Sequence, residues 1–594
     1  MINISKYLSD LITDSVQAEF EEFKEKFVIN SEKDKPWQYS TPTAIKLWNM
    51  NKNMTSSYPF IKSCKELAER ISELIPTTGM IESVAISKAG KGPDEKSGYF
   101  INIYLSTSAM AQKLQELVTT DITYQTEKKL KVVVDFSSPN IAKNLHVGHL
   151  RTTILGDSMA RLLEFMGHDV KRVNHIGDWG TQFGMLIAHM QDKYPDFLDQ
   201  QPEISDLDGF YKEAKKRFDK EEDFKTRSRE TVVKLQGGDQ EILEGWKMIV
   251  NVSRVQFDKI YKRLDIVNNE YGESFYNDMI PPLVQKLEED GIVVEDDGCK
   301  CIFIPKIKVP LIVVKSDGGY NYDTTDLAAM KYRIEVEKAE RIIVLTDMGQ
   351  NFHFKQVEGA CIKAGILDPK TTKFDHMCFG LILDENGERF RSSSGESVQL
   401  VSLLDEAKER ATELCKMKHE NASEEIKLTE EEYQERGEII GLASLKYYDL
   451  KQNRSSSYVF SYDRILDSKG DTGVYLLYMY VRLCSILRKG GYDEERLAEV
   501  AKETELILET PEEIKLGLLL LRLPEYLDGV MNDLQLNMLC SILYEVSTQV
   551  GSFYANNKVL GDPKEASRIL LIEITRKVMK TLFELLGMKT LEQI

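Results

Sequence analysis

Residues 132–149 read Val-Val-Val-Asp-Phe-Ser-Ser-Pro-Asn-Ile-Ala-Lys-Asn-Leu-His-Val-Gly-His, and this stretch limits the fold more than any other. An apolar β-branched run, Val132 to Val134, gives way to small and polar residues and a turn at Pro139. His146-Val-Gly-His149 then opens a helical pattern, with Leu150, Ile154, Leu162, Leu163 and Met166 on a helical period until Gly167 can stop it. A strand feeding a helix through a small-residue turn belongs to an α/β layer. It aims free N–H groups and the helix dipole at whatever sits above the strand end. Two imidazoles there can donate to phosphate oxygens, and Gly148 leaves room for a flat nucleotide. Alone, His-x-Gly-His also fits an ordinary surface turn; its context decides.

The 594 residues suffice for about three or four domains, each with its own core. Hydrophobic content of 42% and charged content of 29% are those of a globular protein. The run Leu518 to Leu523 is short and broken by Arg522, so no segment is expected to cross a bilayer. Met1 to Glu22 is acidic and amphipathic, without the pattern of a secretory signal or an Arg-rich transit peptide, so a cytoplasmic location is expected. A net charge of −19 argues against indiscriminate nucleic-acid binding. It still permits a specific, salt-sensitive partner on a locally basic face. Of eight cysteines only Cys299 and Cys301 lie close, and no second Cys or His pair accompanies them. Reduced thiols, and no metal site, are expected.

Residues 1–125 read as a separate α/β module: helices over Ile4 to Phe27 and Ser63 to Leu74, then strands over Met80 to Ser87 and Tyr99 to Leu105, joined by the polar loop Gly90 to Gly98. From 126 to 455 strands alternate with helices, as a doubly wound parallel sheet requires. Its candidate strands are Lys131 to Phe136, Asp169 to Asn174, Leu311 to Lys315, Arg341 to Thr346 and His376 to Leu383. Charged residues 200–265 look like a helical insertion between the two halves of that sheet, and His419 to Arg436 like a solvated helical hairpin. Residues 456–594 form an almost wholly helical domain.

Ser137-Ser-Pro-Asn-Ile-Ala-Lys143 followed by His146-Val-Gly-His149 resembles the signature of class I aminoacyl-tRNA synthetases, in the form found in arginyl-tRNA synthetases. Asn174-His-Ile-Gly-Asp-Trp-Gly-Thr-Gln-Phe-Gly184 resembles a second stretch of that family. The resemblance runs over nearly the whole chain and is nearest to the eukaryotic cytosolic form. It implies a Rossmann-type catalytic core between an N-terminal domain that reads the tRNA elbow and a C-terminal all-helical anticodon-binding domain. It also implies ATP, as its Mg²⁺ complex, together with L-arginine and tRNA(Arg) as substrates. No tightly bound prosthetic group and no membrane are implied, and a monomer is expected. Activation of arginine is implied to require bound tRNA.

The implied reaction joins the arginine carboxylate to the α-phosphate of ATP, releasing pyrophosphate. The arginyl group then passes to a tRNA hydroxyl, releasing AMP. Neither step demands a protein nucleophile; alignment and stabilisation of phosphoryl charge suffice. His146 and His149 are therefore assigned to the ATP phosphates, with Gly148 under the adenine or ribose and His149 also near the amino acid. Most class I enzymes carry a lysine loop after the last sheet strand. The matching Arg389-Phe-Arg-Ser-Ser-Ser-Gly395 has no lysine at the catalytic place. The resemblance assigns that cation to Lys143, and Arg391 remains a second candidate.

A guanidinium is a planar five-donor fork that cannot be deprotonated, so its recognition needs carboxylates. Tyr322 and Asp326 stand four apart and share a face if the segment opens a helix. The resemblance has Asp326 grip the guanidinium, Tyr322 line it and Glu273 supply a second carboxylate. It puts Ser138, Pro139, Asn140 and Gln350 around the substrate's amino and carboxylate ends. Such a pocket accounts for the lack of an editing insertion, because a buried carboxylate rejects neutral analogues far better than a methylene-sized gap does. For tRNA the resemblance points to Asn102 in the N-terminal domain and to Tyr475, Tyr478 and Arg482 in the C-terminal one. The two tyrosines, three apart, equally suit an aromatic core stripe. The rival readings are a synthetase for another amino acid, disfavoured by the acidic pair, and an inactive tRNA-binding relative, disfavoured by the joint presence of His146, His149, Lys143 and Asn140.

Overall fold

The computed structural model describes all residues except 21–24, 34, 51–57, 59, 91–96, 201–205, 392–396, 420–427 and 594. In the N-terminal part, strands β1 (Asn30–Ser31), β2 (Tyr39–Thr41), β3 (Ile81–Ala89) and β4 (Gly98–Leu105) form an antiparallel sheet in the order β1-β2-β4-β3. Alternation along β4 turns Ile101, Ile103 and Leu105 into the core, as the period-2 pattern requires. The first helix ends at Gln17 rather than Phe27. Beyond it the chain doubles back, so that Phe27 N–H donates to Thr13 Oγ1 at 3.0 Å and Phe20 and Phe27 are both buried. A second aromatic thus reaches the core by reversal rather than by another helical turn. Most of the Gly90–Gly98 loop lies outside the described residues.

The central sheet holds five parallel strands in the order β12-β11-β5-β6-β7. They are β5 (Lys131–Asp135), β6 (Asp169–Asn174), β7 (Asn269–Glu270), β11 (Arg341–Val344) and β12 (Lys373–His376). The chain proceeds from β5 to β6 on one side and places β11 on the other. The crevice at the carboxyl ends of β5 and β11 is therefore a topological switch point, where α/β sheets bind ligands. The insertion appears as helices Leu207–Lys220, Glu222–Gln236 and Gln240–Arg263 between β6 and β7.

Two strand expectations need correction. Leu311–Val314 is β10, but it belongs to a separate antiparallel sheet with β9 (Cys299–Ile302) and β8 (Val294–Asp296). The Asp297-Gly298 turn between β8 and β9 has positive φ at both residues, 48° and 72°, which is the two-residue hairpin geometry. β10 pairs with the second strand of that local hairpin and not with the parallel sheet. The expected strand 376–383 splits, with β12 ending at His376 and β13 (Ile382–Leu383) pairing with β14 (Tyr458–Val459). Gly380 accounts for the break: a Cβ there would lie 2.5 Å from the Ser456 backbone, and its N–H leaves the sheet for Arg454 O.

Helices Leu400–His419 and Glu430–Leu450 flank the segment expected as a solvated hairpin, whose tip at 420–427 lies outside the described residues. Their facing sides are buried through Leu403, Ala407, Ala411 and Ile440. From Tyr462 onward seven helices follow, the last being Glu565–Leu585. The helix after β5, Val147–Phe165, lies buried along most of its length between sheet and helical layers. At Gly156 it packs closely on the residue that follows β5: a Cβ there would meet Phe136 Cβ and Cγ at 2.2 Å. Neither backbone can retreat, so Gly156→Ala is expected to lower stability by about 1–3 kcal/mol, read as a reduced urea midpoint with unchanged slope.

Candidate active site

The turn after β5 is strained. Ser137, Ser138 and Ala142 adopt φ of 71°, 45° and 64°, values that L-residues hold only when surrounding bonds enforce them. Those bonds are present. Ser138 N–H donates to Asn174 Oδ1 at 2.9 Å, its hydroxyl donates to Asp135 Oδ1 at 2.8 Å and accepts from His175 N–H at 3.1 Å. Helix Gln240–Arg263 braces the other side: Tyr261 OH lies 2.8 Å from Ser137 Oγ, and Ser253 Oγ accepts from Ala142 N–H at 3.0 Å. Asn140 pairs in β-bridge fashion with Gly177, where any side chain would collide with Asn140 Oδ1.

His146 is the N-cap of helix Val147–Phe165, and its Nδ1 accepts the Gly148 N–H at 3.1 Å. His149 Nδ1 accepts the His146 N–H at 3.1 Å, closing a reciprocal capping box. With both Nδ1 atoms serving as acceptors, each neutral ring carries its proton on Nε2, the nitrogen left as a donor. Burial, then the neighbouring His146, pushes His149 down to about 3; burial and Lys143 lower His146. Both shifts favour the neutral ring, most strongly at His149. Lys143 is exposed, and its Nζ lies 5.3 Å from the Tyr211 ring centroid in the insertion. Arg391 is exposed on the segment that returns beside the motif, where Val147 N–H donates to Val398 O and Leu400 N–H to Leu145 O. Ser392 to Gly395 lie outside the described residues.

An acidic cup occupies the same edge of the sheet. Helix Tyr322–Glu335 precedes β11 and runs back along the sheet, which puts its first turn at the carboxyl ends of the strands. Tyr322 and Asp326 both meet His353 there: the Asp326 carboxylate lies 2.6 Å from its Nε2, and the Tyr322 ring stands edge-on at 5.1 Å. Glu273 opens a 3₁₀ turn whose start is held by Asp178, which accepts from Ser274 N–H at 2.8 Å and Ser274 Oγ at 2.6 Å. Burial, then the fields of Asp178 and Asp326, raise Glu273 to about 7. A carboxylate that resists ionising beside two others marks a site short of one positive charge. Gln350 is exposed in the turn Met348–Gln350 that follows β11. Pro139 is buried under the turn.

The tRNA-directed residues divide. Asn102 is 2% exposed, flanked in the sheet by Ser40 and Ala85, and its Oδ1 accepts from Ser87 Oγ. It offers no side chain to a partner, which corrects the expectation. Tyr475 packs against Tyr544 at 6.1 Å and follows the core-stripe alternative. Tyr478 is 43% exposed, and the Arg482 guanidinium lies over its ring at 5.1 Å and over Tyr554 at 5.4 Å. These residues line a cavity of about 560 Å³ with Lys489, Asn557 and Lys558. Tyr554 carries no local sequence signal, because only tertiary packing brings it to Arg482. Asp178, Asp323 and His353 also escaped assignment, although Asp178 lies within the second motif.

Comparison with known proteins matches this geometry. Residues 113–462 match the family described as "tRNA synthetases class I (R), catalytic domain". Residues 476–594 match "DALR anticodon binding domain", and 3–105 match "Arginyl tRNA synthetase N terminal domain". The chain is 42% identical to the cytoplasmic arginine–tRNA ligase of Xenopus tropicalis, over 100% of this chain and 89% of that protein; the Homo sapiens protein of the same name is 41% identical over the same shares. The solved arginyl-tRNA synthetase of Plasmodium falciparum superposes with a TM-score of 0.86 at 33% identity, covering all of both chains. That of Thermus thermophilus shares the fold, with a TM-score of 0.77 at 20% identity and full coverage of both chains. Fold and site together define a class I aminoacyl-tRNA synthetase. Within that class the chain belongs to the arginyl-tRNA synthetase family.

The capping box makes a spectroscopic prediction. At pH 6, ¹⁵N histidine spectra are expected to show His149 as the neutral Nε2–H tautomer, and a charged ring at that pH would contradict the assignment.

Proposed function

We propose that this chain ligates L-arginine to tRNA(Arg) in protein synthesis, through an arginyl-adenylate formed from ATP delivered as its Mg²⁺ complex. The supporting observation is the pairing, on one sheet edge, of neutral imidazole donors with a cup of carboxylates short of one cation. His146 and His149 donate through Nε2 to phosphate oxygens, Gly148 lies beneath the nucleotide, and Lys143 brings the mobile positive charge that pyrophosphate release requires. Arg391 supplements that charge from the opposite strand segment. Asp326 and Glu273 take the guanidinium, Tyr322 covers it, and Ser138, Pro139, Asn140 and Gln350 hold the amino and carboxylate ends. Anticodon bases stack at Tyr478 beside Arg482, with Tyr475 as support. The division is 1–125 for the tRNA elbow, 126–455 for catalysis and 456–594 for the anticodon. The enzyme works as a monomer in the cytoplasm, a location supported by the printed names of its relatives. Among the described residues no helix is long and apolar enough to cross a membrane.

In exchange assays with tRNA present, Asp326→Asn is expected to raise the KM for arginine by about two orders of magnitude, with the KM for ATP nearly unchanged. Truncating one member of a buried charge pair costs about 2–5 kcal/mol. Lys143→Met is expected to show the opposite split, slowing adenylate formation by orders of magnitude with arginine affinity retained. An unchanged arginine KM in Asp326→Asn would refute the pocket.

Glu273 also sets a pH dependence. Below about 7 it is protonated in the empty site and must lose its proton to face a guanidinium. Arginine affinity should therefore rise about tenfold per pH unit on the acid side and level off above neutrality. Titration calorimetry on Glu273→Gln should show no such slope.

A further inference from the structure

Among the described residues, His353 touches both Asp323 and Asp326 of helix Tyr322–Glu335, which carries the proposed guanidinium contact. It comes from the helix after β11, Asn351–Lys363, and so from a different element than its partners. Nε2 lies 2.6 Å from Asp326 Oδ2 and Nδ1 lies 3.1 Å from Asp323 Oδ1. The ring is packed between the edge of Tyr322 and Phe354, at 5.1 and 4.9 Å. Both nitrogens face an acceptor, so the doubly protonated ring alone satisfies the arrangement. The two carboxylates outweigh the cost of burial and raise His353 to about 9. Asp326 uses only Oδ2 in this contact; among the described residues Oδ1 takes no hydrogen bond. Asp326 is also felt electrostatically by Glu273, by Arg333 lower on its own helix and by Cys361 beneath it.

We propose that His353 is a positioning and specificity-determining residue for arginine recognition: clamped between Asp323 and Asp326, it immobilises one oxygen of Asp326 and leaves the other preset for the guanidinium. This rests on the assignment of Asp326 to the arginine pocket. An unclamped aspartate near the start of a helix samples several rotamers, and that freedom is lost when the ligand binds. The imidazolium removes that loss in advance. It also trims the charge of the cluster: two carboxylates and one cation leave a single negative charge, which together with ionised Glu273 suits a cation rather than a neutral or zwitterionic side chain.

The test compares His353→Ala, His353→Gln and Asp326→Asn with the full-length enzyme in aminoacylation, with KM for arginine, KM for ATP and thermal midpoint read on each. His353→Ala should raise the arginine KM about 10- to 100-fold, with the ATP KM within about twofold and kcat changed far less than the arginine KM. His353→Gln, which still carries one N–H able to reach Asp326, should recover most of the loss. A normal arginine KM in His353→Ala, alongside a raised one in Asp326→Asn, overturns the positioning role and leaves the pocket standing. Parallel rises in both KM values with a lowered midpoint, or no rescue by glutamine, overturn it as well. Normal arginine KM values in both His353→Ala and Asp326→Asn overturn the pocket assignment itself.

Discussion

One buried ion pair joins the two halves of this site. Asp135, the last residue of β5, accepts from Arg333 Nη2 at 2.6 Å through one oxygen and from the Ser138 hydroxyl at 2.8 Å through the other. Arg333 lies two turns below Asp326 on the helix that forms the acidic cup. A single carboxylate thus anchors the strained turn of the nucleotide side and the helix of the amino-acid side. Removing either partner of such a buried pair leaves an uncompensated charge, a loss of about 3–5 kcal/mol. Here it would also free the geometry between the sites. Tyr276 packs against the same guanidinium and stacks on His175 at 5.3 Å, so the second sequence motif is fastened to the same point.

Around that anchor the electrostatics are arranged by opposite devices. At the His146–His149 motif, helix capping and burial favour neutral rings, so the proposed phosphate contact is one to hydrogen-bond donors rather than to imidazolium. In the acidic cup proposed to take arginine, burial keeps Glu273 reluctant to ionise and His353 lies 2.6 Å from Asp326. The empty cup therefore carries less repulsion than its carboxylates would generate if all were bare. Its full negative charge develops only as a cation arrives. In the C-terminal domain Arg482 spans two tyrosine rings in a cavity of mixed polar and apolar lining.

Legibility followed the range of the signal. The β5–turn–helix unit, the length of β6 and the helical insertion were readable because apolar periodicity and turn residues act over a few positions. Tyr322 and Asp326 share a face as their spacing requires. The strand at Leu311 was recognised but placed in the wrong sheet, because strand existence is local whereas partner choice depended on the Asp297-Gly298 hairpin upstream. Asn102 looked exposed by residue type and is buried by its neighbours on both sides. Asp178, His353 and Tyr554 escaped because each acts through a residue distant in sequence.

By itself the sequence determined the chemical inventory: two histidines opening a helical pattern, Lys143 just before them with no lysine at the matching place in residues 389–395, and Tyr322 and Asp326 at helical spacing. These are properties of residue type and short spacing, which the chain carries before it folds. Only the tertiary structure decided the states and pairings of those groups. Burial and the placing of the turn against the acidic helix depend on partners about two hundred residues apart, such as Asp135 with Arg333. No local pattern encodes those distances.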